Sequence, residues 1–166
     1  NSNNKRGGAI YIATATAVLN LVNCTIVNNE AGISGGGGGV FVLLGTLNLT
    51  NTLIANNTEA NASSTNDNDL EFLNNASAVM GTNTTNLVEI CVDGAVGQCP
   101  VFTSTNDPNL AAAATCGTPA LTYYEPQSGS DAIDMGTAGT SLDICGSTRQ
   151  APLDIGSYEI ISNPDN

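Results

Sequence analysis

Residues 6–31 of this chain are echoed by residues 38–60, and no other feature limits the possible folds as strongly. Gly8-Ala9-Ile10-Tyr11-Ile12 aligns with Gly38-Gly39-Val40-Phe41-Val42 at an offset of 30. Leu19-Asn20-Leu21-Val22-Asn23 aligns with Leu47-Asn48-Leu49-Thr50-Asn51, and Ile26-Val27-Asn28-Asn29 with Ile54-Ala55-Asn56-Asn57, at an offset of 28. Two residues are therefore lost in the turn between. Repeats of this length, built from short β runs, Gly turns and recurrent Asn, bury their apolar faces by stacking on one another. The expected fold is all-β, a right-handed parallel β-helix (a solenoid) with an irregular, disulfide-stapled C-terminal cap.

Strands are expected at 9–12, 18–22 and 24–27, with 46–50 and 52–55 matching the last two in the second coil. Leu19/Leu21 and Leu47/Leu49 alternate with Asn20 and Asn48, the period of two that marks a strand with one buried face. The same alternation puts Cys24 and Ile26 inward, opposite Thr52 and Ile54, so Cys24 reads as a small core residue rather than a reactive thiol. Gly8 and Gly39 belong to the corners. The glycine run 35–39 lacks the Lys and Ser/Thr of a phosphate-binding loop, and no helical pattern follows it. It reads as a tight corner where positive φ or close backbone approach requires Gly. Asn28 and Asn56 open Asn pairs at equivalent corners. Asn accepts left-handed φ there, and its amide can bond to the same residue one coil away, forming a ladder.

These elements divide the chain into coils over 1–90 (repeats at 7–31 and 38–60, and a degraded third at 70–90) and a capping region of the same domain over 91–166. Leu70/Phe72 and Leu87-Val88 supply the third coil's apolar contacts. Periodicity fades from Cys91 onward, with strand-like pieces expected at 120–124 and 155–160. Residues 61–69 form a polar excursion whose Asp67-Asn68-Asp69 offers too few oxygen ligands for calcium. Six N-x-S/T triplets begin at Asn23, Asn48, Asn56, Asn61, Asn75 and Asn83, but a chain so rich in Asn, Ser and Thr produces several by chance.

Composition narrows the function. The 166 residues are 41% hydrophobic and 11% charged, which is a folded chain with room for a core. Fifteen acidic residues face Lys5, Arg6 and Arg149, for a net charge of -12. Without a basic cluster, nucleic acid and anionic membrane are excluded as partners. No apolar run reaches the roughly 18 residues of a membrane-spanning helix. Asn1 is not a natural start, so the chain reads as a processed or trimmed piece.

Four of the five cysteines lie in the second half, which favours two disulfides and an oxidising, extracellular or cell-surface setting. The loop 92–98 has two glycines and lets Cys91 and Cys99 approach to the roughly 5.5 Å Cα separation of a disulfide. Cys116 with Cys145 would close a longer loop, leaving Cys24 reduced. No metal site or cofactor is expected, since His is absent and no CxxC spacing occurs.

The second half also carries a recognisable pattern. Asp107-Pro108-Asn109-Leu110, Gly117-Thr118-Pro119-Ala120-Leu121-Thr122, the run 126–136 and Arg149-Gln150-Ala151-Pro152-Leu153-Asp154-Ile155-Gly156-Ser157-Tyr158-Glu159 resemble the choice-of-anchor Q domain of secreted surface proteins. The Gly-Gly-Ala-Ile and Asn-Asn-x-Ala elements resemble the repeats of polymorphic outer-membrane proteins. The resemblance implies a pectate-lyase-like right-handed β-helix displayed outside the cell. It brings no catalytic residues to this chain. Cys116-Gly117-Thr118-Pro119 departs from the Gly-Gly-Pro-Thr-like turn usual in the family.

The reading that follows is a non-catalytic, secreted or cell-surface structural or adhesive module. Only Asn1 to Arg6 precede the first coil, so other coils or subunits are expected to stack on the N-terminal end. Head-to-tail stacking would build an extracellular filament. Surface glycans are the other candidate partner. The alternative is a polysaccharide lyase or glycoside hydrolase. A lyase needs a cationic base or a metal, whereas a hydrolase needs two carboxylates across a groove, for which Asp131 and Asp134 are the nearest pair. Both lie within the cap motif and are better explained as turn and backbone-bonding groups. An ice- or crystal-binding face fails because the Thr14/Thr16 fragment has Leu43-Leu44-Gly45 as its counterpart in the next coil.

Overall fold

The computed structural model describes residues 5–33, 36–60, 68–73, 77–94, 97–137 and 140–160. The described chain is all-β, and no helix in it is long and apolar enough to cross a membrane. Its β-rich repeats make successive passes, each laying strands beside those of the pass before. The first pass holds β1 (Ile10–Val22), β2 (Thr25–Val27) and β3 (Glu30–Ala31); the second holds β4 (Val40–Thr50), β5 (Leu53–Ala55) and β6 (Thr58–Glu59). The third holds β7 (Leu70–Phe72), β8 (Ala78–Thr84) and β9 (Leu87–Val88), followed by β10 (Cys91–Asp93). Three parallel sheets result. One has the order β1-β4-β7-β10, with β8 also on β4; the others are β2-β5-β9 and β3-β6.

The register follows the repeat: Ile10 opposes Val40, which opposes Leu70, while Leu19 opposes Leu47. The two surplus residues of the first repeat are absorbed as irregularities between Ile12 and Val18, not as a break. β1 and β4 are consequently continuous where the alternation suggests shorter strands. β3 and β6 are too short to leave a sequence signal.

Two apolar clusters flank the middle sheet. Ile26, Ile54 and Val88 face an interior shared with Val40, Val42, Leu47, Leu49, Leu70 and Phe72. Val27, Leu53, Ala55 and Leu87 face the other way, beneath Ala132 and Ile155. A sheet buried on both faces requires continuous apolar runs, which Leu53-Ile54-Ala55 and Leu87-Val88 provide.

The parallel pairing runs on past residue 90. Cys91 to Asp93 pair in parallel with Leu70 to Phe72, and Ser104 bridges Leu87 in parallel, so the stacking continues into a fourth pass. Residues 98–104 lie over that end. Phe102, 8% exposed, enters the interior cluster beside Cys91 and Cys99. Met80 N donates to Gln98 Oε1 at 3.1 Å, and Asn83 Nδ2 to the Val101 carbonyl at 3.0 Å.

Residues 109–160 do not cap an end; they run along the middle sheet. Ser157 N donates to Thr25 Oγ1 in the first pass, Gly156 N to the Asn51 carbonyl in the second, and Thr137 Oγ1 to Thr85 Oγ1 in the third. Here β11 (Ala114–Cys116) and β12 (Leu121–Tyr123) pair antiparallel. The strand expected at 155–160 is absent, because its backbone is spent on Asn51, Thr25 and Asp154 rather than on a neighbouring strand.

The disulfides join Cys91 to Cys99 (Cα–Cα 5.9 Å) and Cys116 to Cys145 (5.5 Å), the pairs drawn from the sequence, and they fit an oxidising compartment. Phe102→Ala should destabilise the fold by about 3 kcal/mol, since it empties the plugged end. Val101→Ala, at a 93% exposed neighbour, should stay within about 0.5 kcal/mol. Urea unfolding of both variants checks this, and equal losses would refute the plug.

Candidate functional site

Among the described residues the first pass has a neighbouring pass on one side only. Among the described residues β1 pairs only with β4, leaving its other edge without a strand. Natural edge strands are short or carry charge or Pro. β1 is 13 residues long, Ile-Tyr-Ile-Ala-Thr-Ala-Thr-Ala-Val-Leu-Asn-Leu-Val, with neither. Leu19 and Leu21 are half-buried, whereas Leu47 and Leu49 one pass deeper are 0% exposed. On the outward face Val18 (61% exposed) and Val22 (43%) stand where the second pass has Thr46 and Thr50.

A hollow of about 560 Å³ opens beside this edge, between Ile10, Leu21 and Ile26 of the first pass and Tyr123, Leu142 and Ile144 of the lateral segment. Cys24 lines it. Contrary to the inward position expected, Cys24 is half-buried, and among the described residues no pass lies over it as the first pass lies over Thr52. Burial pushes its thiol pKa up, against a 3.4 Å hydrogen bond from Sγ to the Val22 carbonyl. Beside the edge, the Arg6 guanidinium lies 5.4 Å over the Phe41 ring, which also stacks on Tyr11 at 5.8 Å.

The corners hold the passes in register. Asn28 and Asn56 adopt φ of 57° and 56°, and both are exposed. They turn the chain but do not form the ladder. Their successors do: Asn29 Nδ2 donates to Asn57 Oδ1 at 3.0 Å. Two further ladders went unread in the sequence, Asn48 Nδ2 to Asn20 Oδ1 at 2.7 Å and Asn51 Nδ2 to Asn23 Oδ1 at 3.0 Å. Their signal was present in the repeated Leu-Asn-Leu-x-Asn. At Gly8 and Gly39 the requirement is close approach: a Cβ on Gly8 would run into Gly38 O, and one on Gly39 into Asp69 O and the Asn57 amide. Gly36 and Gly37 supply the positive φ (63° and 54°), while Gly35 lies outside the described residues.

The Asn29–Asn57 ladder ends on a carboxylate. Asp69, 1% exposed, accepts from Asn57 N and Nδ2, both at 2.8 Å, and from Ile90 N at 3.0 Å. The third pass has Ile90 near this corner, and Asp69 supplies the acceptor the pattern lacks there. Burial raises its pKa to about 6, with Glu89 adding to the rise and the three N–H donors opposing it. Asp67, its companion in the acidic triplet, lies outside the described residues. Among the described residues no group of three or more His, Cys, Asp or Glu is arranged to hold a metal ion.

Of the candidate hydrolase pair, Asp131 is held through its carboxylate and Asp134, which is exposed, through its backbone. Asp131 Oδ2 accepts from Ser104 Oγ and Asn106 Nδ2, each at 2.7 Å, and these bonds lower its pKa. Asp134 takes φ 59° and donates its backbone N–H to Asp154 Oδ1 at 2.8 Å. Arg149 is buried against Glu159 at 3.0 Å and also donates to the Asp154 and Gly156 carbonyls. Burial raises the pKa of both Asp154 and Glu159.

Comparison with known protein families, curated proteins and solved structures gave no match.

Asp69 carries a pH signature. Its native pKa of about 6 lies above the ordinary 3.8, so the native state holds the proton longer than the unfolded chain. Stability from this group is full below about pH 4 and falls as pH rises through 6, by at most about 3 kcal/mol. Asp154 and Glu159 act in the same direction. Asp69→Asn should remove the Asp69 part of that slope while lowering stability throughout, because its amide N–H₂ would face the Ile90 N–H. Denaturant unfolding from pH 4 to 7 checks this; an unchanged slope in the variant would refute the assignment.

Proposed function

We propose that the stacked passes are coils of a right-handed parallel β-helix, and that the chain is a non-catalytic structural or adhesive module of an extracellular surface. The observation that carries the reading is the edge of β1, a long, uncharged strand with exposed Val18 and Val22, on a scaffold whose recurrent asparagines are used in ladders. Such an edge serves to receive another strand. The further coils or subunits expected on this end would be its partners, with surface glycans as a second class.

The resemblance to the choice-of-anchor Q domain stays part of this proposal. The motif residues Arg149, Asp154, Gly156 and Glu159 form one buried network that fastens the lateral segment, a structural use in keeping with a family that transfers no catalytic group. Two disulfides support an exported location.

The pure protein should release no reducing ends or unsaturated uronates from a panel of acidic and neutral polysaccharides. Asp131→Asn should lower the thermal midpoint, by weakening the tie to Ser104 and Asn106, and Asp134→Asn should change little because Asn tolerates the same φ. Polymer cleavage that either substitution abolishes without unfolding would establish the hydrolase instead.

A further inference from the structure

Chance accounts for the number of N-x-S/T triplets in this chain, but the fold treats them unequally. Four begin at described residues: Asn23, Asn48, Asn56 and Asn83. Three of these have their amide nitrogen committed. Asn23 is 8% exposed; its Nδ2 donates to Thr140 Oγ1 at 2.9 Å, and its Oδ1 accepts from Asn51. Asn48 Nδ2 donates to Asn20 Oδ1 at 2.7 Å while its Oδ1 accepts from Thr82 N, so the amide is held between two neighbouring passes. Asn83 Nδ2 donates to the Val101 carbonyl at 3.0 Å, where residues 98–104 lie over the end of the stack. A sugar on any of these nitrogens would take a proton from a bond that joins separate parts of the chain. It would also push a bulky group between them, and partners left unpaired there are costly.

Asn56 is free of these ties. It is exposed, and no hydrogen bond among the described residues uses its side-chain amide. With φ 56° it forms the corner between β5 and β6, and its backbone N–H is already satisfied by Glu89 Oε2 at 3.1 Å. Thr58, whose hydroxyl completes the triplet, is exposed as well. A hollow of about 280 Å³ with Asn28, Thr58 and Glu89 in its lining opens beside it, a polar bed for a sugar ring. Val27 pairs with Ala55 and Ile54 with Val88, so Asn56 has a pass on either side and lies on the flank of the stack.

We propose that Asn56 is an N-glycosylation site, the one of the four described triplets at which this fold can carry a sugar. Its Nδ2 forms a bond to the anomeric carbon of a lipid-diphosphate-linked oligosaccharide. The bond from that carbon to the diphosphate oxygen breaks, the lipid diphosphate leaves with the electron pair, and the amide gives one proton to a base of the transferase. The product keeps one N–H and Oδ1 in solvent, so no buried group loses a partner. The proposal rests on the exported location argued above, because such acceptors are used in secreted chains.

Secretion from a eukaryotic cell line, followed by peptide mapping with and without peptide-N-glycosidase, reads each triplet separately. Asn56 should carry a glycan and become Asp on its enzymatic removal. Asn23, Asn48 and Asn83 should stay bare in protein with both disulfides formed. Thr58→Ala should remove that glycan's mass and leave the circular dichroism unchanged. Secreted, disulfide-bonded protein with a bare Asn56 overturns the proposal and leaves the exported reading intact. Folded protein with sugar on Asn23, Asn48 or Asn83 overturns it too. A chain that reaches the medium with Cys91, Cys99, Cys116 and Cys145 still as thiols ends the exported reading, and the glycan assignment with it.

Discussion

The buried amide of Asn51 is the contact on which most of the structure depends. Its φ of 51° turns the chain from the first sheet into the second, a conformation that Asn accepts at low cost. Its backbone N–H bonds to Thr84 O in the third pass, and its Nδ2 to Asn23 Oδ1 in the first. The same Nδ2 reaches the Asp154 carbonyl, and its own carbonyl accepts from Gly156 N. One residue with 0% exposure thus ties three passes and the lateral segment together. In so dry a position each hydrogen bond is worth more than at the surface, and the loss of one leaves a costly unpaired group. Gly136 is held to glycine by the same contact, since a Cβ there would strike Asn51 Oδ1.

From this junction the two apolar clusters follow. The turn at Asn51 sends Leu53-Ile54-Ala55 into a sheet with one face toward the interior and the other toward Ile155. The lateral segment is fixed over that outer face by Arg149, whose buried charge is matched by Glu159 and by two carbonyls. Removing either ionic partner would strand the other in a dry site, which is far costlier than the pair's net contribution. The end plug closes one end and the lateral layer covers the outer face of the middle sheet, while among the described residues β1 keeps one edge without a strand. The proposed function grows from that asymmetry.

Much of the repeat was legible because it is periodic. The pairs Ile10/Val40, Leu19/Leu47 and Ile26/Ile54, aligned by similarity of residues, are the register partners of the parallel sheets. The candidate site was legible only in part. Asn28 and Asn56 take left-handed φ, but which Asn of each pair turns the chain and which bonds across passes depends on side-chain direction, and two adjacent asparagines look alike in a sequence. Cys24 shows the same gap: alternation points it inward, yet its burial depends on whether another pass lies above it.

The sequence by itself determined the all-β class, the stacking period and the two disulfide pairs, because each is set by local chemistry: alternation, turn residues and loop reach. Only the tertiary structure decided where residues 109–160 go. Nothing local distinguishes a segment that covers the end of a stack from one that lies along its side; that choice depends on which apolar face is left bare, here the outer face of Leu53 and Leu87. It likewise decided that Phe102 closes one end and that Val18 and Val22 stay exposed at the other, since exposure is a property of neighbours many residues distant and not of the residue itself.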